Sequence, residues 1–168
     1  MYSLNVPVPP RVTRIIDELS PLVAQLDSIR EHPTLLVKRL GALEPIEFDR
    51  TEKAVRSTVT GTPTFEVAVT GIDVFREPPN GPGPVVYLAV RGSELHRLHQ
   101  RLVAEFGAAE GLEGEGYVPH ITLGRGGDPE TIETLCDRSI ESVTWTVTEL
   151  LFWDARRALT AGRIPLPA

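Results

Sequence analysis

The chain has 168 residues, 41% of them apolar and 24% charged, which is enough for a self-sufficient core and matches the balance of a water-soluble globular protein. No apolar run approaches the ~18 residues of a membrane span. A single cysteine, Cys136, excludes an intrachain disulfide framework and a cysteine-rich zinc site. The opening MYSLNVPVPP has none of the pattern of a secretory leader, so a cytoplasmic location is expected. The net charge of −6 argues against affinity gained by wrapping a nucleic-acid backbone, so any nucleic-acid contact should be local. Only Lys38 and Lys53 are lysines against fifteen arginines, whose forked donors suit bidentate phosphate contacts, although most such charges are simply solvated.

In chain order, YSLNVPV alternates as a strand and runs into Pro9 and Pro10, which open a helix but do not sit inside one. Val12, Ile15, Ile16, Leu19, Leu22, Val23 and Leu26 recur at helical spacing and predict a helix from about Pro10 to Leu26, with a kink or break at Ser20-Pro21. HPTLLVKRL is a strand closed by Gly41, and FDRTEKAVRSTVTG a short helix ending at Gly61. TPTFEVAVTGIDVF reads as a strand with Phe65, Val67 and Val69 on one face and a bulge at Gly71. REPPNGPGP is a loop and VVYLAVRG a short buried strand. A helix over Ser93–Phe106, with Ser93 as N-cap, stops at Gly107. The acidic loop AAEGLEGEG leads into the strand of GYVPHITLGRG, Asp128-Pro129 opens a short helix, and VTWTVTELLFW is one long last strand.

This order nearly repeats itself, and each copy carries a histidine two places before a threonine: His32 with Thr34, and His120 with Thr122, the histidines 88 residues apart. Little residue identity accompanies the repeat outside these motifs. On a strand, residues two apart share a face, so each motif presents a titratable imidazole beside a hydroxyl. Two imidazoles facing one another across a cleft are a proton acceptor and a proton donor near neutral pH, and two hydroxyls hold an anion between them without a metal.

PHITLGR, Pro119–Arg125, and the looser HPTLLVKRLG, His32–Gly41, resemble the duplicated His-x-Thr signature of the two-histidine (2H) phosphoesterases, the group with the RNA 2′,3′-cyclic phosphodiesterases and the LigT-like 2′-5′ RNA ligases. The resemblance spans the chain in element order and is specific only at these two sites. It implies an α+β fold of two pseudo-symmetric lobes, each an antiparallel sheet with helices on its outer face, enclosing a V-shaped cleft, with residues 1–168 as one domain. It further implies a metal-independent phosphoesterase that opens 2′,3′-cyclic phosphates on RNA termini or small nucleotides to 2′-phosphates. The reverse reaction is 2′-5′ ligation, and no cofactor, neither ATP nor metal, is required.

Carried over residue by residue, His32 and His120 form the acid/base pair, with His120 taken as base and the roles exchanging with direction. Thr34 and Thr122 donate to the phosphate. Arg125 is a phosphate clamp if Gly124 or a bulge turns it inward, and Lys38 shares the His32 face by parity if its strand is regular. Tyr117 either stacks on a nucleobase or packs its loop. Pro33 places the first motif at a strand's beginning or on an edge and can displace the His32 ring. His96 and His99 are spaced as helix ligands or as a plain solvated face. The protein is expected to work as a monomer, and the alternative reading is a catalytically silent module of the same fold that binds nucleotides or RNA ends.

Overall fold

A computed structural model describes all residues, 1–168. Its strands are β1 (Tyr2–Val6), β2 (Ser28–Ile29), β3 (Leu35–Gly41), β4 (Phe65–Phe75), β5 (Val85–Arg91), β6 (His120–Arg125), β7 (Val143–Val147), β8 (Glu149–Asp154) and β9 (Leu159–Pro165). Four helices, α1 (Pro10–Val23), α2 (Pro45–Val59), α3 (Ser93–Phe106) and α4 (Pro129–Asp137), separate them. No helix is long and apolar enough to cross a membrane.

All pairings are antiparallel, in the order β7-β4-β5-β6-β3-β1-β8-β9, with β2 lying against β6. The two halves of this path meet at β3 and β6, which share the single register pair Leu35–Ile121 and then diverge. A pseudo-twofold through that pair relates β3 to β6, β1 to β5, β8 to β4 and β9 to β7. The chain is therefore two lobes of one curled sheet rather than two separate sheets.

The helices cross between lobes. α1 follows β1 yet packs with α4 over β6, β5 and β4, while α3 follows β5 yet packs with α2 against β3. The helix-covered face holds the core, in which Leu4, Leu35, Leu88, Ile121 and Phe152 are fully buried. With an antiparallel sheet covered on one side only, the other face is free to carry polar groups, and it forms the floor of a cleft.

Several expectations are refined. Pro21 lies inside α1 rather than ending it, one turn from the C-terminus. α2 begins earlier than its apolar pattern suggests, because Pro45 stands in the first turn and Glu44 and Glu47 form a reciprocal capping box. Ser93 is the first helical residue of α3 and Gly92 the cap. The segment read as one last strand is two, β7 pairing with β4 and β8 with β1 at opposite ends of the sheet, because Thr148 breaks the run and instead accepts a hydrogen bond from Leu166. The short β2 and the closing β9 carry too little alternation to stand out.

Candidate active site

Two bulges decide which side chains enter the cleft. In β6, Thr122 pairs with Tyr87 and Gly124 with Val86, so Leu123 is the extra residue and Arg125 returns to the face of His120 and Thr122. In β3, Leu36 pairs with Asn5 and Lys38 with Leu4, so Val37 is the extra residue and Arg39 joins Thr34 and Leu36. The β6 bulge needs a glycine for close approach: a Cβ on Gly124 would lie 2.5 Å from the Ser28 carbonyl oxygen of β2.

The cleft has two connected chambers that share Leu36, Arg39, His120, Thr122 and Arg125 as a common floor. One, of about 380 Å³, is walled by Phe75, Pro78, Pro79 and Leu112. The other, of about 340 Å³, is walled by Ser28, Arg30 and Thr34. An apolar chamber thus adjoins a cationic one, and an imidazole and a hydroxyl lie between them.

His120 is tightly held. Its Nδ1 is 2.6 Å from the Val118 carbonyl oxygen, and its ring stands edge-on to Phe75 and Tyr87, with centroids 5.1 and 5.2 Å away. A carbonyl only accepts, so Nδ1 carries the hydrogen and Nε2 is left as the free acceptor. Burial pushes the imidazole below its ordinary pKa of 6.5; the Val118 bond opposes this, and the positive charges of Arg39, Arg30 and Arg125 reinforce it. The ring is neutral at pH 7, in the form that takes up a proton.

Arg125 is braced by the Pro/Gly-rich loop, its Nη1 donating to the carbonyls of Asn80 at 2.9 Å and Pro82 at 3.0 Å. Arg39 is braced through its backbone. Its N–H donates to Glu113 Oε1 at 2.7 Å, and its carbonyl accepts from Lys38 Nζ at 2.7 Å. The bulge at Val37 frees further carbonyls from the ladder, and side chains satisfy them: Tyr117 donates its hydroxyl to Leu36 at 2.8 Å, and His99 Nδ1 lies 2.7 Å from the Val37 oxygen.

The structure brings Thr34, His120, Thr122 and Arg125 to one cleft. It places Lys38 elsewhere. The bulge reverses its parity, so it is 4% exposed on the helix-covered side, 2.7 Å from the buried carboxylate of Glu113, and away from the cleft floor. Tyr117 belongs to the cleft wall, with His99 stacked on its ring at 3.8 Å and its hydroxyl donated to the Leu36 carbonyl. His99 accepts from Gly114 N–H through Nε2, which leaves no nitrogen for a metal, and no three His, Cys, Asp or Glu side chains are grouped to hold one.

His32 is exposed, in the loop before β3, and its ring lies 5.9 Å from that of Trp153 on β8. It lines neither chamber. Pro33, lacking a backbone donor, leaves both residues outside the ladder. Arg39 and Arg30 escaped the sequence reading. The signal for Arg39 was present, since it follows Thr34 by the same five residues that separate Arg125 from His120.

A curled antiparallel sheet whose open face joins an aprotic imidazole nitrogen, a hydroxyl and guanidinium groups has the makings of a phosphoester-handling enzyme. Residues 8–158 match the model of the 2′-5′ RNA ligase superfamily. An RNA 2′,3′-cyclic phosphodiesterase of Methanothermobacter thermautotrophicus is 31% identical over 132 residues, covering 75% of this chain and 68% of that protein. Among solved structures, TT0787 of Thermus thermophilus is similar with a TM-score of 0.67 at 19% identity, over 98% of this chain and 97% of that one. Escherichia coli LigT in its apo form is similar with a TM-score of 0.64, also at 19% identity, over 99% and 97% of the two chains. The chain belongs to the 2′-5′ RNA ligase superfamily and is a LigT-like two-histidine phosphoesterase by family.

Proposed function

We propose that the protein opens 2′,3′-cyclic phosphates on RNA ends or small nucleotides, leaving a 2′-phosphate, and joins ends by 2′-5′ ligation when an RNA 5′-hydroxyl takes the place of water. The observation that carries this reading is the free Nε2 of a neutral His120 set beside Thr122 between two arginines. The reactive phosphate sits on the shared floor. Arg39 and Arg125 offset its negative charge and the further charge that gathers on its oxygens in the transition state, and Thr122 donates to one of them. His120 takes the proton of the attacking water as that oxygen bonds to phosphorus in line with the departing 3′-oxygen.

The apolar chamber of Phe75, Pro78, Pro79 and Leu112 receives the nucleoside, and the arginine-walled chamber receives the rest of the chain or solvent. A negatively charged protein with a local cationic floor suits an end group better than long RNA. The relatives point the same way: one is a cyclic phosphodiesterase, and LigT has been crystallised with 3′-AMP.

The test is turnover of 2′,3′-cyclic AMP with EDTA present, followed by 31P NMR. The expected product is 2′-AMP, and His120→Ala should lower kcat/KM by roughly 100-fold or more. A dependence of turnover on added divalent metal, or 3′-AMP as sole product, would refute the proposal.

A further inference from the structure

The pseudo-twofold that relates β3 to β6 carries the neighbouring strands with it. With Leu35 set against Ile121, Leu36 matches Thr122 and Arg39 matches Arg125. Their partners then match as well, Asn5 with Tyr87 and Ser3 with Val85, so β1 falls on β5. One strand further out, Ser3 pairs with Trp153 and Val85 with Phe75, so Trp153 of β8 holds in the first lobe the place that Phe75 of β4 holds in the second. Both follow residues that pack into the core, Phe152 and Val74, and so stand on the open face of the sheet. Each ring also flanks a motif histidine, with centroids 5.1 Å apart for Phe75 and His120 and 5.9 Å apart for Trp153 and His32.

Beside Trp153 lies a shallow pocket of about 100 Å³, walled also by Pro33, Leu151 and Thr160. Thr34 lines both this pocket and the arginine-walled chamber, so the two adjoin. The pocket carries an unmet hydrogen-bonding demand. Asn5, only 3% exposed, lines it and donates through Nδ2 to Ser3 Oγ at 2.9 Å, while its Oδ1 is buried without a donor. Buried amide oxygens are normally paired, and a ligand's amino or hydroxyl group supplies the donor that the protein lacks here.

We propose that the pocket of Trp153, Asn5 and Thr160 is a second nucleoside subsite, which holds the 5′-hydroxyl nucleoside in 2′-5′ ligation and in its reversal. The inference rests on the phosphoesterase reading above, in which the chamber of Phe75 receives the nucleoside of the cyclic phosphate. A 2′-5′ linkage has one nucleoside on each side of its phosphorus, and the pseudo-twofold sets one aromatic ring on each side of the phosphate floor. The remainder of the cyclic-phosphate strand leaves from the 5′-carbon of its ribose, so it is not the group that symmetry sets opposite Phe75. A base stacked on Trp153 holds the 5′-oxygen toward the floor. In cleavage of a 2′-5′ linkage, the neighbouring 3′-oxygen bonds to phosphorus and gives its proton to the acid/base groups of the cleft. The bond from phosphorus to the 5′-oxygen breaks, and that oxygen takes a proton back. The products are a 2′,3′-cyclic phosphate and a 5′-hydroxyl, and no water is consumed.

The test compares kcat/KM for 2′-5′-linked ApA with that for 2′,3′-cyclic AMP in the native protein, Trp153→Ala and Trp153→Phe. Cyclic AMP fills the Phe75 chamber alone, so the ratio of the two values reports the second subsite whatever Trp153 also does for His32. Trp153→Ala should lower that ratio roughly 5- to 150-fold, the effect of one lost base–aromatic stack, and Trp153→Phe should restore most of it. A ratio unchanged within about twofold in Trp153→Ala would overturn the proposal. A second measurement needs no turnover. The chain has two tryptophans, and Trp153→Phe identifies which indole N–H resonance belongs to Trp153. The 3′-deoxy form of 2′-5′ ApA, which lacks the hydroxyl that cyclises, should shift that resonance, and 2′-AMP should not. No shift with the dinucleotide, or equal shifts with both ligands, would overturn the inference. Absence of turnover on both substrates in the native protein would defeat the function proposed above and leave this titration to judge the subsite.

Discussion

Replacing Glu113 by glutamine should unsettle the cleft from behind. The carboxylate is fully buried and takes three donors: Lys38 Nζ at 2.7 Å and Ala109 N at 2.8 Å on Oε2, and Arg39 N at 2.7 Å on Oε1. Burial alone would raise its pKa, but these donors outweigh burial and hold it below the usual 4.5, so it is ionised in the fold. A glutamine has the same shape but one acceptor oxygen, so its amide faces a donor, and the Lys38 ammonium, with a side chain only 5% exposed, loses its counter-charge. Breaking a buried pair from one side costs about 3–5 kcal/mol. For a chain of this size that is a fall in Tm of about 6–20 °C. Urea unfolding at neutral pH, followed by the fluorescence of Trp145 and Trp153, measures the loss directly. A cost below about 1 kcal/mol would put the pair among exposed salt bridges and refute the reasoning. The double variant Lys38→Met/Glu113→Gln should recover a good part of the loss, because it leaves no unpaired charge.

Gly124→Ala should destabilise by about 1–3 kcal/mol through overpacking, because the new methyl meets the Ser28 backbone oxygen, which cannot yield, as well as Leu26 Cδ1; thermal melts of an alanine variant as stable as the native protein would show that β2 is not fixed there. His99 and His120 both have folded pKa values lowered from 6.5, mainly by burial, so the unfolded chain binds more protons just below that value. Stability is then full above pH 6.5 and lost as pH falls through the folded pKa of each ring; urea midpoints that stay constant from about pH 8 to 5 would refute their being buried and neutral.

Much of the fold was legible because amphipathic periods survive tertiary packing. The apolar rows of α1 and α3 and the alternation of β4 are written in the residues themselves. The repeat of element order was legible as well. What escaped was register. Parity arguments put Lys38 in the cleft and left Arg125 needing a device to enter, yet one extra residue in each strand reverses both, and a bulge at Val37 has no marker such as Gly124 supplies in the other lobe. His32 lies in the loop just before β3, where strand parity has no say in its direction. Tyr117 and His99 looked available because nothing local shows that a bulge elsewhere has freed carbonyls needing donors.

β1 lies between β3, which follows it closely in sequence, and β8, which begins only at Glu149. During synthesis at about 5–20 residues per second, β1 waits roughly 8–30 s for its second neighbour with one ladder edge open. Lys38 and Arg39, in β3, likewise wait for Glu113. The first half therefore leaves one ladder edge of β1 and the buried Lys38 unpartnered until the second half arrives, and such long-range pairings slow folding. A chain released at Thr148 would form a sheet lacking β8, β9 and the buried Leu150, Phe152 and Ile164. Such a product presents the unpaired edge of β1 to proteases and chaperones.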